Sequence, residues 1–94
     1  MKIKINIFCR NTLYRSDFLD WNYNTISDKI SFEIGRDCIS KYMSEFHDFI
    51  INEDNGYDFE YESIVLTDAT HRNVMKDGFC YIDIIADIHD WHLI

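Results

Sequence analysis

The chain has 94 residues, 47% of them hydrophobic and 16% aromatic, with 17 acidic against 9 basic side chains and a net charge of −8. This is too apolar and too rich in rings for a disordered chain, and its length suits one small domain spanning residues 1–94. The charge disfavours a free nucleic acid or an anionic membrane surface, which are held by Lys and Arg, and favours a basic protein partner or plain solubility.

The opening MKIKINIFCRN has the wrong pattern for a signal peptide, and no stretch approaches the roughly 20 apolar residues of a membrane span. Cys9, Cys38 and Cys80 are widely spaced and form no CxxC pair, which excludes a zinc knuckle and fits a reduced, cytoplasmic chain. Residues 2–9 alternate, with Ile3, Ile5, Ile7 and Cys9 on one face and Lys2, Lys4 and Asn6 on the other, as in a half-buried strand. Phe8 falls on the polar side and suggests some cover there. Residues 11–28 fit several states. Ser16 or Asp17 would cap a short helix, whereas Leu19, Trp21 and Tyr23 alternate as in a strand, and a strand or ordered loop is favoured.

Residues 29–34 alternate again and are expected to form a strand, closed by Gly35. Asp37 is then the expected cap of a helix over about 37–52, with Ile39, Tyr42, Met43, Phe46, Phe49 and Ile50 on its apolar stripe. The Asn-Gly step at 55–56 marks a turn. Residues 57–67 read as a strand and 68–78 as a loop closing on Asp-Gly. Phe79 to about Ile88 reads as the last strand, in a hairpin with 57–67. The expected fold is α+β: one main helix on a mostly antiparallel sheet of four or five strands, in the order β-(β?)-β-α-β-β.

Catalytic chemistry finds little purchase. The segment His89-Asp90-Trp91-His92 is the one local histidine cluster, and on a strand positions 89 and 92 point to opposite faces. A catalytic zinc wants three protein ligands and an open position, so Cys80 or Asp87 would have to join. Nothing in the sequence pairs His71 with His47, the cysteines show no activating surroundings except Arg10 beside Cys9, and no Gly-rich phosphate loop exists. The expectation is a protein that is not an enzyme and holds no metal or cofactor.

The last strand carries Tyr81, Asp83, Ile85 and Asp87 on its non-core face. Asp58, Glu60 and Glu62 share one phase of its expected neighbour, and Glu33 takes the matching place on a third strand. With Trp91 as a ring at the edge, these nine residues are the expected partner-binding set: carboxylates around aromatic anchors. An ordinary solvated sheet face is the competing reading. The expected function is a small acidic inhibitor that occludes a basic, nucleic-acid-acting protein, such as an immunity protein against a nuclease toxin. A phage anti-defence inhibitor of anti-CRISPR or DNA-mimic type fits the same charge. From another class, a small metal-dependent enzyme using the C-terminal histidines is the alternative. The chain is expected to be a monomer or a homodimer, the latter joined through a sheet edge.

Overall fold

The computed structural model describes residues 2–23, 25–53, 59–60, 63–76, 79–90 and 92–93. The elements are β1 (Lys2–Cys9), β2 (Thr12–Asp20), α1 (Asp28–Glu53), β3 (Phe59–Glu60), β4 (Ser63–Lys76), β5 (Phe79–His89) and β6 (His92–Leu93). The fold is α+β, with one helix and a four-stranded mixed sheet in the spatial order β2-β1-β5-β4. β1 runs antiparallel to β2 and parallel to β5, and β4 runs antiparallel to β5. β3 and β6 form a separate two-stranded pair.

Alternation builds the two central strands. Ile3, Ile5, Ile7 and Cys9 of β1 and Cys80, Ile82, Ile84 and Ala86 of β5 are all buried on one face. They sit in register, Ile3 beside Cys80 and Ile7 beside Ile84. β1 turns into β2 through Arg10 and Asn11, with Arg10 in the left-handed region at φ 58°. β2 then departs from strict alternation. Ile7 faces Arg15 while Phe8 faces Leu13, so Tyr14 is an extra residue, a β-bulge. The bulge lets both Tyr14 and Arg15 reach the helix. Tyr14 packs against Phe46 and Phe49 and donates to Glu45, and the Arg15 guanidinium lies 4.7 Å above the Tyr42 ring.

The helix starts at Asp28, nine residues before the expected start at 37. Ser27 is the cap: its Oγ accepts the N–H of Ile30 at 3.2 Å. The expected strand over 29–34 is therefore helical, and Gly35 lies inside the helix. The inward stripe runs Ser31, Gly35, Cys38, Ile39, Tyr42, Phe46 and Ile50. Ser31 is fully buried and donates to the Ser27 carbonyl at 2.9 Å. A Cβ on Gly35 would come within 2.9 Å of the Leu66 side chain, so the missing side chain is what lets the helix press on β4. Met43, expected on the stripe, is 43% exposed. The helix kinks at Tyr42, whose φ/ψ of −108°/15° is non-helical.

The remaining corrections concern the strands. Segment 11–28 contributes β2, so the first hairpin is β1–β2. The expected loop at 68–78 is in large part the second half of β4, carried past a bulge between Leu66 and Asp68. The expected hairpin with the last strand is present as β4–β5, although the expected strand over 57–67 is represented by β3 and the start of β4. The element order is thus β-β-α-β-β-β, not β-(β?)-β-α-β-β.

Candidate protein-binding face

The helix covers one side of the sheet. Among the described residues, no element packs on the other. That uncovered face is ordered in rungs. Asp20, Lys2 and Phe79 make the first; Phe18, Lys4, Tyr81 and Arg72 the second; Ser16, Asn6, Asp83 and Thr70 the third; Leu13, Phe8, Ile85 and Asp68 the fourth. Arg10 and Asp87 lie beyond the fourth, paired at 3.7 Å.

The third rung is a polar chain across the sheet. Ser16 donates to Asn6 Oδ1 at 2.8 Å, and Asn6 Nδ2 donates to Asp83 Oδ1 at 2.9 Å. Arg72 closes the chain on Asp83 Oδ2 at 3.0 Å, with its guanidinium 4.7 Å above the Tyr81 ring. On one side lies an aromatic patch in which Phe18, 64% exposed, meets Phe79 across β1 with ring centroids 5.5 Å apart. On the other side Phe8 and Ile85 line a depression of about 360 Å³ together with Arg10, Asn11, Thr70 and Asp83. Exposed rings, aliphatic side chains and an arginine fixed on a tyrosine are the composition of protein–protein interface centres.

The structure brings Tyr81, Asp83, Ile85 and Asp87 together on this face, in the strand where the sequence places them. It separates Glu33 from them, because Glu33 is an exposed residue of the helix. Glu60 lies in β3 opposite His92, outside the four-stranded sheet. Asp58, Glu62 and Trp91 lie outside the described residues. Asp83 and Asp87 are neutralised by the chain's own Arg72 and Arg10, so the face is not a negative patch. Its acids Asp20, Asp68, Asp83 and Asp87 are matched by Lys2, Lys4, Arg10 and Arg72. The excess negative charge includes the helix, where Asp28, Glu33, Asp37, Glu45, Asp48 and Glu53 outnumber Lys29, Arg36 and Lys41.

Sequence reasoning missed Leu13, Phe18, Arg10 and Arg72 as parts of the face. The Tyr14 bulge puts Leu13 and Phe18, five positions apart, on one side, against strict alternation. Arg72 stands in a polar stretch that carries no strand pattern. His71, expected in a loop, is on the helix-facing side of β4 and reaches Asp28 Oδ1 at 2.8 Å. His89 contacts Asp90 at 3.2 Å and His47 is exposed on the helix. Among the described residues, no group of three or more His, Cys, Asp or Glu is placed to hold a metal ion. No described helix is long and apolar enough to cross a membrane.

The architecture defines a class: a two-layer α+β domain in which no described element covers one face of the sheet. No family model, curated protein or solved structure matches the chain.

Proposed function

We propose that the protein is a small inhibitor that binds and occludes a basic, nucleic-acid-acting protein, in the manner of an immunity protein neutralising a nuclease toxin. Its docking surface is the bare sheet face. The observation that carries the reading is the apolar and aromatic surface on two sides of the Ser16–Asn6–Asp83–Arg72 chain, on a face no described element covers. The two charge roles are divided. The net charge of −8 steers a basic partner from a distance, while the balanced face makes the contact. Tyr81, Ile85 and Phe8 anchor the partner; Asp83 and Asp87 hold Arg72 and Arg10 for it.

The test begins with capture from the native host using tagged protein, followed by binding measured on the purified partner. Ile85→Asp and Tyr81→Ala are each expected to weaken binding at least about 30-fold, the size of a central anchor residue. Their melting curves should remain cooperative. The association rate should fall steeply as salt rises. Unchanged affinity in both variants would move the interface off this face, and a captured partner of acidic charge with a salt-independent rate would overturn the steering.

A further inference from the structure

β2 is an outer strand of the sheet, with β1 on one side and no strand of the described residues on the other. Among the side chains the structure describes, the large apolar ones most exposed in the sheet all lie in it: Phe18 at 64%, Leu13 at 52% and Leu19 at 36%. An outer strand of this length, without proline and with apolar side chains bare, is a template for another strand. We propose that β2 pairs antiparallel with β2 of a second copy of this chain, about a two-fold axis through Ser16, so that the two sheets become one.

The register follows from charge and side-chain direction. A two-fold axis requires that whatever residue i faces, that residue faces i in return. Side chains directly opposite must also lie on the same face of the sheet. Three placements keep the middle of the strand paired. With Arg15 on the axis, two guanidinium groups face each other; with Asp17 on the axis, two carboxylates do. Like charges directly opposite are destabilising. With Ser16 on the axis, two hydroxyls meet, and Arg15 faces Asp17 of the second copy twice over. Each Arg15 is already 2.9 Å from its own Asp17, so four charges alternate in sign around the axis.

The bulge completes the match. Because Tyr14 is the extra residue, Leu13 is displaced by one place and comes opposite Phe18 on the bare face, while Thr12 comes opposite Leu19 on the helix side. The two most exposed apolar side chains of the strand thus cover each other. The complementarity is of this strand to itself, which selects a second copy over a foreign strand.

The experiment is sedimentation equilibrium on the purified protein. The expected mass is twice the 11.3 kDa of one chain. R15D and D17R each set like charges opposite one another and are expected to raise the dimer dissociation constant at least about tenfold. The double variant R15D/D17R restores opposite charges and should restore the dimer. Asp17 accepts a hydrogen bond from Tyr42 and Arg15 stacks on its ring, so circular dichroism checks the fold of each variant. S16K leaves both charges in place, sets two ammonium groups at the axis and should also yield monomers. A wild-type monomer at every concentration, a dimer that survives both R15D and S16K, or a folded double variant that stays monomeric overturns the proposal.

Discussion

Asp83 shows how much one side chain does on the bare face. It accepts from Asn6 and pairs with Arg72, so removing its carboxylate frees the arginine and leaves the amide without its acceptor. Asp83→Ala is expected to lower stability by about 1–2 kcal/mol in urea unfolding, above the usual exposed ion pair because two partners are lost. A change within about 0.5 kcal/mol, the range of ordinary surface substitutions, would mean the polar chain is not holding the face. Tyr14 gives a pH signature. Its hydroxyl donates to Glu45, and this bond, then burial, pushes its pKa from 10 up to about 12. The folded value lies above the unfolded one, so the contribution is complete below pH 10 and is lost as pH rises through 12. Tyr14→Phe should therefore flatten the loss of stability between pH 10 and 12, followed by urea melts against wild type; parallel curves would refute the assignment. Burial pushes the Cys38 thiol up to about 11, which leaves it protonated and inert at neutral pH.

The helix was only half legible, and the reason is physical. Its second half carries large inward residues, Tyr42, Phe46 and Ile50, whose spacing is plain in the sequence. In its first half the inward positions include the small residues Ser31 and Gly35, and at Gly35 the helix is pressed against Leu66 and Ala69 of β4. Small residues leave no apolar stripe, so the alternation of Ile30, Phe32 and Ile34 reads as a strand. Phase is testable where expectation and structure part. Phe46 is fully buried and Met43 is 43% exposed. Phe46→Ala is expected to cost about 3–5 kcal/mol, and Met43→Ala less than about 0.5 kcal/mol. Equal costs in thermal or urea unfolding would show the helix is rotated from this placement. β2 was hidden for a different reason: its bulge shifts the alternation in mid-strand, so no single period fits Thr12–Asp20.

At the scale of the molecule, Glu33 and Glu60 do not join Asp83 and Asp87 as their expected strand positions suggest. The helix carries six carboxylates against three basic side chains, while the bare sheet face is balanced by its own lysines and arginines. On the proposed reading, the net charge draws the partner in and the balanced face makes the contact. Salt should act on the association rate, whereas Ile85→Asp should act on dissociation. The sequence alone determined the central strands β1 and β5, the lower half of the helix, the α+β class and the face on which Tyr81, Asp83, Ile85 and Asp87 lie. Each of these rests on a local period, two for a strand or 3.6 for a helix, which burial on one side imposes along the chain. Tertiary structure alone decided the parallel pairing of β1 with β5, the bulge in β2 and the neutralisation of Asp83 and Asp87 by Arg72 and Arg10. Those depend on which distant segments lie side by side, and a pattern written along the chain carries no record of what stands across from it.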